Sequence, residues 1–151
     1  MLFKICRIYQ DDPQDRDDLL QEMTLQLWLV FDSFRGESKI SSWMYRVALN
    51  TAIVFFKKQK RRPDSELLPE NFDRPQDPNL GEEKEAQLAL FYKALQQLDK
   101  VEKALIFLYM ENQPYEEIAA NLGISQVNLR VRLNRTKNKL KEIIKKMNYE
   151  Y

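Results

Sequence analysis

Between Asn121 and Lys141 the sequence reads NLGISQVNLRVRLNRTKNKLK, which holds Arg130, Arg132, Arg135, Lys137, Lys139 and Lys141 and no carboxylate. Cations so concentrated can neutralise phosphates, and a guanidinium can also bond a guanine edge through two donors. The whole chain has a formal net charge of only +1, so the excess is local and points to a polyanionic partner. A second cluster, Asp15, Asp17, Asp18 and Glu22, has the residue type for acid–base work but no helpers. The 151 residues include no histidine and one cysteine, Cys6. That composition removes the common zinc sets and any intrachain disulfide, and suits a reducing cytoplasm. The four carboxylates are better explained as helix-start charges, each favoured by ~0.3–1 kcal/mol at the positive end of the helix dipole. With three glycines and no GxGxxG or GxxxxGK[ST] string, a nucleotide cradle is also missing. The composition therefore predicts no catalytic residues, no metal, no cofactor and no small-molecule substrate.

The elements that must position these groups are helical. Apolar residues recur at three and four, and the alternation a strand requires is missing. Residues 63–82 contain Pro63, Pro69, Pro75 and Pro78 among Asp64, Glu66, Glu70, Asp73 and Asp77, an acidic proline-containing linker. The expected fold is all-α: a helical domain over 1–62, the linker over 63–83, and a second helical domain over 84–151. In the first, Leu20, Met23, Leu27, Val30 and Phe34 form a core-facing stripe, while Leu19, Leu25, Trp28, Leu29 and Phe31 extend the apolar surface beyond it. Such a helix is buried on more than one side or meets a partner. The next helix, from about Ser41 to Lys60, places Met44, Val47, Ala48, Thr51, Val54 and Phe55 inward. Trp43, Arg46, Asn50, Ile53 and Lys57 form its other stripe. The apolar runs near 25–31 and 105–110 are far shorter than the roughly 20 residues that span a bilayer. No charged-then-apolar signal opens the chain, so a cytoplasmic protein without membrane insertion is expected.

In the second domain, Leu88, Phe91, Leu95 and Leu98 open one amphipathic helix, and residues 104–110 continue a strongly apolar one. YEEIAANLGIS then predicts a short helix with Ile118, Ala119 and Leu122 inward, stopped by Gly123, with Ser125 capping the helix that follows. Two helices joined by so tight a turn form a helix-turn-helix, whose second member usually enters the major groove. On that member Leu129, Leu133, Thr136, Leu140 and Ile143 recur as the packed side, which turns Val127, Val131, Asn134 and Asn138 outward, flanked by Arg130 and Arg135. Arg132, Lys137, Lys139 and Lys141 spread around the sides. A merely solubilising helix would mix lysine with glutamate for i,i+4 pairing; this one does not.

Taken together, DLLQE (18–22), FRGES (34–38), SWMYRVALNTA (42–52), YEEIAANLGIS (115–125) and VRLNRTK (131–137) resemble, in order and spacing, a bacterial RNA polymerase sigma factor of the extracytoplasmic-function (ECF) group of the sigma-70 family. The resemblance runs from about Leu2 to Lys146. It implies that Asp18, Gln21, Glu22 and Leu25 grip the clamp helices of the largest subunit of core RNA polymerase. It further implies that Arg35, Gly36, Ser38, Lys39, Trp43, Arg46, Asn50 and Lys57 serve the −10 promoter element. Asn50 would face a flipped base, Trp43 would support the melted strand, and the cations would meet phosphates. By the same resemblance Ser125, Val127, Arg130, Val131, Arg132, Asn134, Arg135 and Lys137 serve the −35 element as duplex. Val131 replaces the small hydroxyl residue frequent at its position, which points to apolar contact such as a thymine methyl. Asp99 replaces a customary proline but can still cap a helix. The linker would lie by the RNA exit path, its acidity mimicking nucleic acid, and an anti-sigma factor is an expected further partner. The alternative from the residues alone is a stand-alone helix-turn-helix regulator, which would bind DNA without polymerase.

Overall fold

The computed structural model describes residues 1–60 and 81–149, with side chains over 1–56 and 81–148. Some of its helices begin where side chains satisfy orphan backbone donors. Asp12 Oδ1 accepts from the N–H groups of Gln14 (2.8 Å) and Asp15 (3.1 Å), and Pro13 occupies the first helical position, where its missing N–H costs nothing. These start α2, Pro13–Val30, which follows α1, Leu2–Tyr9. A 3-10 turn, Phe31–Ser33, leads towards α3, Ile40–Lys60. The second half contains α4, Glu82–Gln96; α5, Lys100–Met110; α6, Tyr115–Leu122; and α7, Gln126–Tyr149. Asp99 opens α5 with a reciprocal capping box: its Oδ1 accepts from Val101 (2.9 Å) and Glu102 (2.8 Å), and Glu102 Oε2 accepts from the Asp99 N–H at 2.9 Å. Among the described residues every regular element is helical, as the apolar spacing predicts. Most of the linker expected over 63–83 lies outside the described residues, and α4 begins at Glu82, within that range.

The helices of the two halves pack on each other. α1 lies against α2 and α3 and also against α4 and α5, while α3 meets α5 and α6 as well as α2. One buried cluster therefore runs from Ile5, Ile8, Tyr9, Met23, Ala48 and Leu49 to Leu95, Leu105, Phe107, Ile118 and Leu129. The Tyr45 ring meets Phe107 edge-on at 5.7 Å. Tyr9 Oη donates to the Lys100 carbonyl at 2.6 Å, and burial pushes its phenol well above the usual range. Lys103 is 1% exposed. Its ammonium sits 4.7 Å from the Phe56 ring and 3.3 Å from Gln96 Oε1, so a ring face and an amide replace part of its lost water. Cys6 is buried as well, and desolvation pushes its thiol up to about 11, which leaves it unreactive at neutral pH.

This shared core bears out one face assignment, the burial of α2 on more than one side, and corrects another. Leu19, expected beside the core stripe, is fully buried, because α2 packs against both α1 and α3. On α3 the buried residues are Ser42, Tyr45, Ala48, Leu49 and Ala52. Val54, expected inward, is 51% exposed, and Met44, Val47, Thr51 and Phe55 are only half-buried. A helix sandwiched between two layers buries a second stripe, and that rotation leaves Val54 outside.

Candidate nucleic-acid interface

The turn before α7 is set by local chemistry. Gly123 adopts φ 67° and ψ 34°, a left-handed stop that disfavours any side chain. Its N–H bonds to the Ala120 carbonyl (3.3 Å), and that of Ile124 to Ala119 (3.0 Å). Ser125 Oγ then accepts from the Asn128 N–H at 3.1 Å, capping α7. Leu129, Leu133, Thr136 and Leu140 are buried, which fixes the rotation of α7. Val127 (73% exposed), Val131 (44%), Arg130, Arg132, Asn134 and Arg135 all reach solvent, and Ser125 is exposed at the head of the helix. Farther along, two cations turn back onto α5 and away from this face. The Lys137 ammonium lies 3.7 Å from the Tyr109 ring centroid, and Lys139 Nζ donates to Glu102 Oε2 at 2.8 Å. α7 therefore offers a guanidinium-rich front turn with a valine pair at its centre.

The second candidate surface is the loop before α3 with the start of that helix. Arg35, Gly36, Ser38 and Lys39 are exposed. Gly36 has φ 74°, and a Cβ there would meet nothing within 4 Å, so backbone conformation alone selects glycine. Trp43 is half-buried, 5.4 Å from the Phe34 ring and 6.3 Å from Phe31. It braces the loop while keeping part of its surface open. Asn50 is exposed. Arg46 is exposed too, but its Nη2 donates to the Ala120 carbonyl of α6 at 3.3 Å. Lys57 lies on α3, and its side chain is outside the described residues.

α2 carries a third surface of opposite character. Leu25 (49% exposed), Trp28 (81%), Leu29 and Phe31 leave apolar side chains in water. Leu20, Gln21, Thr24, Leu25 and Trp28 line a shallow, almost wholly apolar depression beside them. Asp18 and Gln21 are exposed at its polar edge, and Glu22, half-buried, accepts from Gln26 Nε2 at 3.1 Å. Clustered apolar exposure of this kind marks a protein-docking site. Trp28 and Leu29 belong to it as much as Leu25. The sequence signalled them as apolar residues off the core stripe, but did not single them out as contacts.

The sequence model of sigma-70 region 2 matches residues 1–62, and that of sigma-70 region 4 matches residues 88–140. The ECF RNA polymerase sigma factor SigG of Mycobacterium tuberculosis is 29% identical over 155 residues, covering 85% of this chain and 42% of SigG. The chain thus spans less than half of that relative. The ECF RNA polymerase sigma-E factor of Escherichia coli K12 is 29% identical over 150 residues, covering 87% of this chain and 77% of that protein. Among solved structures, the sigma factor RpoE in complex with the anti-sigma factor NepR from Bartonella quintana shares the fold. Its TM-score is 0.75 at 23% identity, over 95% of this chain and 89% of the other. CnrH in complex with the cytosolic domain of CnrY has a TM-score of 0.66 at 21% identity, over 95% and 80%. With both family regions in order on one all-helical chain, this protein belongs to the ECF group of the sigma-70 family of RNA polymerase sigma factors.

Proposed function

We propose that the chain is a dissociable specificity subunit that binds core RNA polymerase, recognises −35 and −10 promoter elements and assists DNA melting, without covalent chemistry of its own and in the cytoplasm. The observation that carries this reading is the presence on one chain of an uncovered apolar ridge on α2 and a separate exposed cationic face on α7. A lone DNA-binding regulator has use for the second but not for the first. Asp18, Gln21, Glu22 and Leu25, joined by Trp28, would meet the polymerase clamp. In the duplex −35 element Arg130 and Arg135 would bond guanine O6 and N7, each good pair contributing ~1–3 kcal/mol of discrimination. Val127 and Val131 would contact thymine methyls, and Ser125, Arg132 and Asn134 would complete the contacts to bases and phosphates, joined by Lys137 once its ammonium leaves the Tyr109 ring. At the −10 element the site must return the few kcal/mol spent in unstacking a base. Asn50 supplies an amide for the base edge, Trp43 a ring for stacking, and Arg35, Lys39, Arg46 and Lys57 charge for the backbone, around the Gly36–Ser38 turn. An anti-sigma factor is a fitting further partner, because the neighbours RpoE and CnrH were captured with NepR and CnrY.

The test is run-off transcription from a promoter library with core polymerase, with and without the chain. Specific start sites that require both proteins support the reading. Specific footprints on duplex DNA by the chain alone, with no effect on core enzyme, would establish a stand-alone regulator instead.

A further inference from the structure

The cations of α7 are not all treated alike by the helix beneath them. Lys137 and Lys139 stand two positions apart, so at about 100° per residue they leave α7 roughly 200° apart, on opposite flanks. α5 catches both. In its last turn Tyr109 sets its ring against the Lys137 ammonium, 3.7 Å from the centroid, and in its first turn Glu102 Oε2 accepts from Lys139 Nζ at 2.8 Å. That same Glu102 oxygen also accepts from the Asp99 N–H at 2.9 Å, so the α5 capping box fixes the carboxylate that the lysine meets. Lys137 is half-buried as a result, whereas Arg130, Arg132 and Arg135 are exposed.

Backbone position alone would make these two lysines part of the DNA face. Lys137 follows Arg130, and Lys139 follows Arg132, by about two helical turns, so each continues a stripe that begins with an exposed arginine. A cation that neutralises a phosphate releases a condensed counterion and adds about 0.9 to the slope of log affinity against log salt, whatever the base sequence. A cation held on a ring face or a carboxylate releases none until that contact breaks.

We infer that Tyr109 and Glu102 are positioning residues that draw Lys137 and Lys139 off the phosphate backbone and so weaken the binding of this chain to DNA of any sequence. The inference rests on the reading of α7 as the duplex-binding helix. Its consequence lies in competition: a genome offers about 10⁶–10⁹ non-specific sites, and each freed lysine would tighten binding to all of them alike. Attraction that is uniform over sequence keeps a protein on the wrong DNA. Withdrawing two cations leaves α7 less indiscriminate without removing the side chains that face base edges.

The experiment measures binding of the full chain to a fluorescent random-sequence duplex by anisotropy, over a range of about 50 to 200 mM salt. Tyr109→Leu changes no charge and keeps apolar bulk, and Glu102→Gln keeps an oxygen for the Asp99 cap. Each should raise affinity at low salt and steepen the slope by about 0.9, so that affinity falls about 3.5-fold more than that of wild type across this range. Tyr109→Phe, which keeps the ring face, should retain the wild-type slope. Adding Lys137→Gln to Tyr109→Leu, or Lys139→Gln to Glu102→Gln, should cancel the gain. Wild-type slopes in Tyr109→Leu and Glu102→Gln would overturn the inference, and a change in only one would overturn the role of the other residue. A gain that survives loss of its lysine would also overturn it, since the cause would then be overall charge or fold. Arg130→Ala separates this result from the reading beneath it. An unchanged slope in that variant would overturn the duplex reading of α7 itself. A flattened slope there, with wild-type slopes in Tyr109→Leu and Glu102→Gln, would overturn only the restraint.

Discussion

α3 and α7 both carry residues suited to DNA, but the fold treats them differently. On α7 the front turn is open: Val127, Arg130, Val131, Asn134 and Arg135 are all exposed, so a groove can meet them without uncovering them first. On α3 the first turns are held: Ser42 is bonded to Glu117, Arg46 to Ala120, and Tyr45 to Phe107 and Glu111. The difference lies in packing. α7 buries one stripe against α4, α5 and α6, whereas α3 is sandwiched between α2 on one side and α1, α5 and α6 on others. A helix that buries one stripe keeps a free face, and a helix that buries two has little left for a ligand unless one layer moves away.

That contrast can be broken most forcefully in the core. Phe107→Ala, which removes the ring against Tyr45, should cost about 3–5 kcal/mol. If the halves share one core, urea should unfold wild type and variant in one cooperative transition. Two separate transitions would mean that α3 is not covered in solution. The α2 ridge offers a sharper control, since it lies outside the contrast: Leu25→Ala with Trp28→Ala should weaken polymerase binding by about 2–4 kcal/mol and change folding stability by only about 0.5 kcal/mol. Loss of stability comparable to the loss of binding would return those side chains to a structural role. A smaller effect comes from Asp99→Ala, which removes the α5 cap and should cost about 1 kcal/mol by thermal unfolding, with the transcription start sites unchanged.

The smallest effect is the pH dependence of the Lys4–Glu111 pair. The hydrogen bond from Lys4, then that from Tyr45, hold the Glu111 carboxyl below its ordinary value of 4.5 against the opposing effect of burial. The hydrogen bond to Glu111 holds Lys4 above its ordinary 10.5. The depressed acid stabilises the packed form above pH 4.5, and that contribution disappears as pH falls through its lowered value. The raised base stabilises it below pH 10.5, and that contribution disappears as pH rises through its raised value. Because Lys4 is largely exposed, the pair should contribute only about 0.2–1 kcal/mol. Comparing wild type with Glu111→Gln between pH 3 and 7 should show a stability difference that shrinks towards the acid end. A difference independent of pH would show that the charge pair adds nothing to the stability of the packed form. Tyr45, pushed up to about 12 by burial first and then by Glu111, stays protonated throughout that range.

Local chemistry was legible in the sequence; long-range partnership was not. Gly123 and Ser125 announced the turn before α7, Asp99 announced its cap, and the Leu129–Leu133–Thr136–Leu140 spacing set the rotation of α7 correctly, because each depends on neighbours within a turn or two. Asp12 was overlooked as the α2 cap, although Pro13 after it is a usable signal. The second buried stripe of α3 was missed because periodicity shows that a face is apolar, not which layer covers it. Ser42 and Glu117 are 75 positions apart, and nothing local links them. Likewise the cations at Lys137 and Lys139 read as side-facing charges until Tyr109 and Glu102 are placed beside them.

In the proposed division of labour one chain reads duplex with α7 and melted strand with α3 while seated on polymerase. It is tested most directly by run-off transcription with core enzyme and either Arg135→Ala or Asn50→Ala, on a duplex promoter and on one with a pre-melted −10 bubble. Arg135→Ala should weaken closed-complex formation by ~1–3 kcal/mol on both templates. Asn50→Ala should spare recruitment, slow opening on duplex, and be rescued only in part by the bubble, since strand separation is bypassed while base capture is still required. Equal rescue of the two variants by the bubble would contradict the division between the helices. Wild-type transcription by both variants on both templates would contradict the proposed contacts altogether.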